Sequence, residues 1–504
     1  MLVDTLFSAY IKYRLKRIDL YRDFPLECQQ KVWLELLRSG SRTAYGKDFN
    51  FSTITHPKAF QASVPLSDFS SLEPYIERAL KGERDVLWPG LTKWFAKSSG
   101  TTGTRVKTIP VTQESLEHNH YAGGKDLLAC YHNNIPNRKL YSKKHLILGG
   151  SNSLQHIDQQ TLVADLSAII IDNLPFWTEF RRVPEKQIVL HADWEEKLHR
   201  MAEASIQEDV AIIAGVPSWM TLFLETVLEK SGKQCITEVW PNLELYIHGG
   251  MSLQPYKAKL QRLIAKEDMH YVESYNASEG YFGLQDSQEL NALLLLTDSS
   301  VYYEFIPMDR YEGINSTIVL TLDEVEINTE YALVITTNAG LWRYIIGDTL
   351  TFTSLHPFRF KVTGRTAHYI NAFGEKAVVM HVEQALAAWT SEFGLAVENY
   401  TVAPFFTFDE GNGGHEWAIE FKTLVEVTPA MALRLDEIMR SVNSDYDTKR
   451  AKNLNILPLR IKTLPSGTFF AWMKKNGKFG GQHKIPRLQN NRKLLDELSA
   501  ISTL

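Results

Sequence analysis

Apolar residues follow two different spacings along the chain, and the changes between them divide it into regions. Residues 1–40 carry apolar side chains at helical spacing, and a polar stretch with prolines then runs to about residue 90. From there, short apolar runs alternate with longer amphipathic segments. The short runs predict buried strands at His145–Leu148, Val210–Ala214, Leu243–Ile247, Met269–Tyr275, Val301–Ile306 and Tyr331–Thr336. The amphipathic segments predict helices at Gln113–Cys130, Trp194–Gln207, Ser218–Lys230 and Pro255–Ala265.

This alternation of strands and helices predicts an α/β fold whose sheet is largely parallel. After residue 330 the pattern is typical of hairpins, with turns predicted at Asn338–Gly340 and at Gly347-Asp348. The large N-terminal region therefore combines mixed sheets with helices.

The region after residue 370 has a different organisation. The segment Asn371–Lys376 is typical of a connector, and helices are predicted at Val379–Phe393 and Pro429–Val442, with strands between them. These elements form a compact α+β unit of their own. We therefore predict an N-terminal domain over residues 1–370, a hinge over residues 371–380 and a small mobile C-terminal domain over residues 381–504.

Composition excludes several classes of protein. The chain has 504 residues, of which 44% are hydrophobic and 22% charged, as in ordinary globular proteins. Its net charge of −5 is not the basic surface that nonspecific nucleic-acid binding requires. The sequence contains no apolar run of membrane-spanning length, and three well-separated cysteines favour a reducing compartment. We expect a cytoplasmic monomer, with an oligomer left open, and no membrane or nucleic-acid partner.

The first candidate site is the segment Ser98–Thr104, which reads SSGTTGT. Its glycines allow the backbone to approach a phosphate closely, and its hydroxyl and N–H groups are donors for phosphate oxygens. We expect it to join a strand to a helix that begins near Thr112. The segment lacks the Lys-Ser/Thr ending of a Walker loop, and a plain hydrophilic turn has a similar composition.

A second candidate site follows the predicted strand that ends at Tyr275. The aromatic ring of Tyr275 can stack on a base, and Glu279, four residues later, can hold a magnesium ion or its water. A solvated surface turn explains the same residues when they are taken alone.

Two further segments supply charges that suit a nucleotide. Asp348, on the predicted Gly-Asp turn, can accept hydrogen bonds from a ribose diol. Arg365 precedes the connector, and Lys376 within the connector can stabilise negative charge on a phosphoryl group. Each signal is weak by itself, because such turns and solvated lysines are common.

Together and in this order, the segments resemble the auxin-responsive-promoter family of acyl-acid amido synthetases, a branch of the adenylate-forming superfamily that includes acyl-CoA ligases and luciferases. The resemblance runs over more than 440 residues. Besides the sites above, it rests on TAYGK at 43–47, LYIHGGMSLQPY at 245–256, YEFIP at 303–307 and GQHKIPR at 481–487.

The resemblance implies a role for each matching residue. ATP would contact Ser98, Ser99, Thr101, Thr102, Tyr275, Glu279, Gly280, Asp348, Arg365, Lys376 and Lys484. Lys376, Lys484 and Glu279 would be catalytic, with Glu279 also holding Mg²⁺. The acid would lie beside Leu116, Asn119, Asn276, Ala277 and Ser278, and the amino acid beside Gly150, Arg460 and Lys462.

The activity implied by the resemblance is amide synthesis. ATP would activate a small carboxylic acid as an acyl-adenylate, and an amino acid would then displace AMP. An acyl- or aryl-CoA ligase, which passes the acyl group to a thiol, and a nucleotide-binding regulatory protein without turnover are the alternatives.

Overall fold

The computed structural model describes most of the chain. The described residues are 2–98, 107–135, 140–149, 155–156, 161–191, 193–366, 369–370, 375, 377–407, 413–423, 425–443, 446–447, 450, 456–477, 485–489 and 491–501. The chain forms two compact units. The large unit comprises Met1–Ser252, Lys259–Ile346 and Leu350–Val362, and the small unit comprises Leu253–Ala258, Gly347–Thr349 and Thr363–Leu504. The domain boundaries proposed from the sequence stay a prediction.

Helices of the large unit begin with the amphipathic N-terminal region, as predicted. The longer ones are Leu2–Asp23, Pro25–Gly40, Phe69–Leu80, Tyr121–Asn134, Trp194–Ser205 and Pro217–Ser231, and the shorter ones include Ala44–Asp48, Pro57–Ser63, Gln113–Ser115, Leu166–Asp172, Lys186–Val189 and Ile236–Val239. A π-helical turn, Leu116–His120, leads directly into Tyr121–Asn134. Helix Gln254–Ile264 carries residues of both units. None of the helices within the described ranges is long and apolar enough to cross a bilayer.

The main sheet has eleven strands and is mixed. Their order is Val301–Pro307, Glu330–Thr337, Tyr344–Leu355, Phe358–Arg365, Leu293–Leu295, Gly280–Leu284, His270–Ala277, Leu245–Gly249, Val210–Gly215, Lys144–Leu148 and Arg182–Val183. The last five strands run parallel, whereas antiparallel pairing begins where His270–Ala277 meets Gly280–Leu284. All six buried strands predicted from the sequence are present, and the α/β class with mixed sheets is confirmed. The prediction that the sheet is largely parallel is wrong, because antiparallel pairs join His270–Ala277 to Gly280–Leu284, and Val301–Pro307 to Glu330–Thr337.

A second, four-stranded sheet has the order Lys107–Val111, Trp94–Ser98, Leu162–Asp165 and Gln155–His156. Strand Trp94–Ser98 pairs antiparallel with Lys107–Val111, so that Ser98 lies opposite Lys107. The hydroxyl-rich segment after Ser98 therefore joins two strands. The predicted helix start near Thr112 is confirmed, but the prediction that the segment leads from a strand to this helix is wrong, because strand Lys107–Val111 lies between them.

A buried ion pair ties the N-terminal helices to the main sheet. The guanidinium Nε of Arg343 lies 3.0 Å from Glu304 Oε2, and the two side chains are 4% and 1% exposed. Arg343 also donates from Nη1 to the carbonyls of Gln61 and Val64. Because a carboxylate and two backbone carbonyls accept hydrogen bonds from this buried cation, the charge is tolerated inside the unit.

The small unit has its own core. Strands Val397–Phe406, Gly413–Phe421 and Arg460–Leu464 form one sheet, and helices Val379–Phe393, Pro429–Val442, Thr468–Lys475 and Lys493–Ile501 are the longer helices around it. A two-stranded ladder pairs Tyr369–Ile370 with Ala377–Val378. The core contains Trp389, Tyr400 and Trp417, each fully buried. Helices Val379–Phe393 and Pro429–Val442 have the ends that the sequence predicted.

Candidate functional site

The acidic turn of the large unit is present, but it begins two residues later than the sequence predicted, because the strand extends beyond Tyr275 to Ala277. Strand His270–Ala277 is continued by a two-residue turn, Ser278 and Glu279, and Ala277 pairs with Gly280 across it. Because His270–Ala277 is the last of the parallel strands, the turn lies at a carboxyl edge, where open α/β sheets bind their ligands. Glu279 is half-buried and Asn276 is exposed, so both are accessible at this edge.

Tyr275 is part of the core beneath that turn. Only 7% of it is exposed, and its ring centroid lies 5.1 Å from that of Phe282 and 6.0 Å from that of Phe360. The structure thus shows Tyr275 as a packing residue. Its role beside a base remains a prediction.

Two residues predicted to face the acid are buried in the same region. Leu116 is completely buried, and the Asn119 amide donates to the carbonyls of Tyr281 and Ser299, each over 2.9 Å. The backbone N–H of Tyr281 donates back to Asn119 Oδ1. Asn119 therefore braces the strand that follows the acidic turn, and its contact with the acid stays a prediction.

His120 is a residue that the sequence reasoning missed. It is 5% exposed, and its Nδ1 lies 3.1 Å from the side-chain oxygen of Asn276, a predicted acid-binding residue. Burial lowers the pKa of His120 to about 4, and the hydrogen bond to Asn276 opposes this shift only partly. A neutral His120 at pH 7 then donates from Nδ1 to Asn276 Oδ1, which fixes the orientation of that amide. Nothing in the local sequence distinguishes this histidine from His118, two residues earlier and exposed.

Lys197 is a second such residue. It is completely buried in helix Trp194–Ser205 and donates from Nζ to the carbonyl of Gly149 over 2.9 Å. Burial lowers the pKa of Lys197 to about 7, against the attraction of Asp165. Gly149 directly precedes Gly150, the predicted amino-acid contact, which lies outside the described residues. Lys197 and Gly149 are 48 positions apart in the sequence, so this contact could not be predicted from the local sequence.

The phosphate motif is described only at its start. The backbone of Ser98 ends strand Trp94–Ser98, and Ser99, Thr101 and Thr102 lie outside the described residues. Their role stays a prediction from the sequence.

The small unit brings together two predicted ATP-binding residues. Arg365 Nε donates to Asp348 Oδ1 over 2.7 Å, with Arg365 38% and Asp348 13% exposed. The predicted Gly347-Asp348 turn is wrong, because both residues belong to the continuous strand Tyr344–Leu355. Gly347 has a φ of 89° there, which glycine adopts without strain, and its carbonyl accepts from the Thr366 N–H. The strand thus continues through Asp348 without turning back.

The remaining predicted residues of the small unit are placed only in part. Arg460 is exposed, with its guanidinium carbon 3.8 Å from the ring centroid of Phe405, and Lys462 is half-buried two residues further along the same strand. Lys376 and Lys484 lie outside the described residues. Arg487, three residues after Lys484, is buried and donates to the Tyr400 carbonyl over 3.0 Å.

The described side chains include no group of three or more His, Cys, Asp or Glu arranged to hold a metal. Magnesium, however, is commonly bound by one or two carboxylates together with substrate phosphates and water. An accessible carboxylate on a turn, as at Glu279, fits that mode of binding.

Family models match the chain in three successive segments. They are described as the GH3 family N-terminal domain over residues 14–269, the central domain over 294–365 and the C-terminal domain over 376–493. The matches appear in domain order and together cover most of the chain.

Curated relatives resemble the chain over nearly its whole length. An indole-3-acetic acid-amido synthetase, GH3.8 of Oryza sativa subsp. indica, is 24% identical over 91% of this chain and 87% of its own. A 4-substituted benzoates-glutamate ligase, GH3.12 of Arabidopsis thaliana, is 24% identical over 93% of this chain and 94% of its own.

Solved structures share the fold. The AtGH3.15 acyl acid amido synthetase in complex with 2,4-DB aligns with a TM-score of 0.81 and 18% identity, covering 97% of this chain and 96% of that one. A 2-hydroxyisobutyryl-CoA ligase in the postadenylation state aligns with a TM-score of 0.61 and 11% identity, covering 95% and 92%. The fold is therefore that of adenylate-forming enzymes.

Proposed function

The chain belongs to the GH3 family, and we propose that it is an ATP-dependent acyl-acid amido synthetase that joins a small carboxylic acid to the amine of an amino acid. The observation that carries this proposal is the presence of all three GH3 domains, in order, in one chain. Relatives that match over about nine-tenths of the chain are named as amido synthetases and as a benzoate-glutamate ligase. A cytoplasmic location is part of the proposal, because three cysteines far apart in the sequence favour a reducing compartment.

The reaction has two steps. A carboxylate oxygen of the acid attacks the α-phosphorus of ATP and displaces pyrophosphate, which gives a mixed anhydride with AMP. The neutral amine then attacks the carbonyl carbon, the bond from that carbon to the AMP oxygen breaks, and the amine nitrogen loses a proton. Activation is necessary because oxide is a very poor leaving group from a free carboxylate, whereas AMP is a good one.

The first step brings anions together, so it needs positive charge and hydrogen-bond donors. We assign the phosphates to the segment 98–102 and to Lys376 and Lys484, and the ribose diol to Asp348, whose carboxylate Arg365 orients. Mg²⁺ held by Glu279 would supply Lewis-acid charge at the phosphates.

The acid is assigned to the carboxyl edge of the parallel strands. Asn276 lies there with its side chain oriented by His120, beside Ala277 and Ser278. With its oxygen in contact with His120, the exposed Asn276 side chain has amide N–H groups that could donate to a carboxylate. The amine is assigned to Gly150, Arg460 and Lys462.

The test is ATP–pyrophosphate exchange with a panel of small carboxylic acids. We expect exchange that depends on the acid, and a drop of at least about 100-fold for Lys376→Ala, since such charge stabilisation contributes roughly 3 kcal/mol. Lys422→Ala, which changes an exposed lysine of the same unit, is the matched control.

The acceptor is identified by supplying amino acids or coenzyme A to the exchanging enzyme. Consumption of the adenylate by an amino acid supports the proposal. Consumption only by coenzyme A would make the protein an acyl-CoA ligase, and ATP binding without exchange by any acid would make it a regulatory protein.

A further inference from the structure

A buried hydrogen-bonded pair lies at the connector of the small unit. His415 Nε2 donates to Glu375 Oε1 over 2.9 Å, and both side chains are completely buried. His415 belongs to strand Gly413–Phe421, in the middle of the core sheet. Glu375 is the residue immediately before Lys376. The pair therefore ties the connector to the sheet at the point where the proposed catalytic lysine begins.

A second contact fixes the backbone of the same residue. Asn443, which follows helix Pro429–Val442, donates from its amide to the carbonyl of Glu375 over 3.2 Å. The same amide nitrogen lies 3.0 Å from His381 Nδ1 in helix Val379–Phe393. One side chain thus joins the connector to two helices of the unit.

The other side of Lys376 is held as well. Ala377 pairs with Ile370 in the two-stranded ladder, and both residues are completely buried. Glu375 and Ala377, the two sequence neighbours of Lys376, are therefore both held by contacts within the small unit.

The buried Glu375–His415 pair is better suited to fixing the position of the connector than to stabilising the fold. Burying a carboxylate and an imidazole costs desolvation, and apolar residues of similar size fill such a space at least as favourably. Within the described part of the chain, no hydrogen-bond partner reaches the second ring nitrogen of His415. A polar pair that is buried at a net cost fixes one geometry among several that packing alone would allow.

We propose that Glu375 and His415 are positioning residues, which hold the connector so that the Lys376 ammonium reaches the reacting phosphate from a fixed point of the small unit. The expected effect on catalysis through Lys376 rests on the proposed function, whereas the anchoring of the connector does not. A displacement of about 1 Å at a reacting group is sufficient to slow a reaction about 100-fold, so the anchor has a measurable effect on rate.

The first experiment measures the anchor itself, independently of activity. Hydrogen–deuterium exchange of the full chain is compared between wild type, His415→Phe and His415→Gln. We expect His415→Phe to speed amide exchange at least tenfold in the peptides covering residues 371–380, with the remaining core unchanged. His415→Gln retains a donor near the position of Nε2 and is expected to restore protection. Unchanged protection of 371–380 in His415→Phe would overturn the proposal.

The second experiment asks whether the anchor acts through Lys376. In acid-dependent pyrophosphate exchange, His415→Phe is expected to lower kcat 30- to 100-fold with little change in the KM for the acid. In a Lys376→Ala background the same substitution is expected to lower kcat less than threefold. Equal effects in the two backgrounds would show a general structural role and contradict the proposal.

Two further variants complete the design. Asn443→Leu removes the donor to the Glu375 carbonyl and replaces His415→Phe if that variant does not fold. Glu420→Gln changes another buried carboxylate of the small unit, one that accepts from the Phe469 N–H, and is expected to leave kcat within twofold. If wild type shows no exchange with any acid while His415→Phe still loses protection at 371–380, the proposed function is wrong and the anchor stands.

Discussion

Arg365 donates from Nε to Asp348 Oδ1 over 2.7 Å, which places a cation and a carboxylate from two neighbouring strands side by side in the small unit. The pair is partly exposed, with Arg365 at 38%. An exposed ion pair contributes about 0–1 kcal/mol to stability, so stability alone does not account for the arrangement. A carboxylate oriented by a guanidinium is well suited to accept hydrogen bonds from a ribose diol.

If Asp348 binds the ribose of ATP, its replacement should weaken ATP binding much more than it lowers the stability of the fold. We expect Asp348→Asn to raise the KM for ATP about tenfold or more, because an amide is a weaker acceptor, and to change the free energy of unfolding by no more than about 1 kcal/mol. Exchange kinetics at varied ATP and chemical denaturation measure the two effects. Arg434→Ala breaks a more exposed ion pair of the same unit, with Glu392, and is the control. An unchanged KM for ATP in Asp348→Asn would remove Asp348 from the nucleotide site.

Glu279 is expected to determine the magnesium requirement. Replacing its carboxylate by an amide in Glu279→Gln removes a ligand of the type that Mg²⁺ prefers, so we expect exchange to be roughly 100-fold slower and to need more magnesium for half-maximal rate. A titration of the exchange rate with magnesium chloride measures both. Glu289→Gln, at an exposed glutamate of the same unit, serves as the comparison. A Glu279→Gln enzyme with wild-type magnesium dependence would contradict this assignment.

The burial of His120 predicts a dependence of stability on pH. The pKa of His120 is about 4 in the folded protein, below the ordinary value of 6.5, because burial disfavours the imidazolium. The unfolded chain therefore binds a proton between pH 6.5 and 4 that the folded chain does not, and this stabilising contribution is lost as the pH falls through that interval. It amounts to about 2–3 kcal/mol between pH 7 and pH 4.5.

Urea denaturation at the two pH values measures this contribution. The loss of stability on acidification is expected to be smaller by that amount in His120→Gln than in wild type, whereas His118→Gln behaves like wild type. Equal losses in all three proteins would show that His120 titrates normally.

The buried pair of Arg343 and Glu304 predicts a large effect on stability. Removing the carboxylate in Glu304→Ala leaves the guanidinium buried and unpaired, at an expected cost of about 3–5 kcal/mol. Lys58→Ala breaks an exposed pair with Glu324 in the same unit, and its expected cost is below about 1 kcal/mol. Denaturation of both variants at pH 7 gives the comparison, and similar costs would contradict the burial argument.

Elements with local signals at their ends could be predicted from the sequence. Helix Pro429–Val442 follows Thr428, whose hydroxyl accepts from the Met431 N–H, and has proline in its first position. Helix Val379–Phe393 ends at Gly394, which has a φ of 64°. Such signals lie within a few residues of the boundary, so a single sequence contains them.

Features that depend on distant partners could not be predicted. Gly347-Asp348 has the composition of a turn, but pairing with neighbouring strands keeps it within a twelve-residue strand. The contacts between His120 and Asn276 and between Glu375 and His415 join residues 156 and 40 positions apart. The residue types at the site were visible in the sequence, but the contacts that orient them were not.

The most direct test of the central claim traces the carboxyl oxygens of the acid into the products. The enzyme is supplied with ATP, an amino acid and a carboxylic acid labelled with ¹⁸O at both carboxyl oxygens, and the products are analysed by mass spectrometry. If an acyl-adenylate is formed and an amine then attacks its carbonyl, AMP carries one ¹⁸O and the amide retains the other. Formation of ADP, or of AMP without ¹⁸O, would contradict the account.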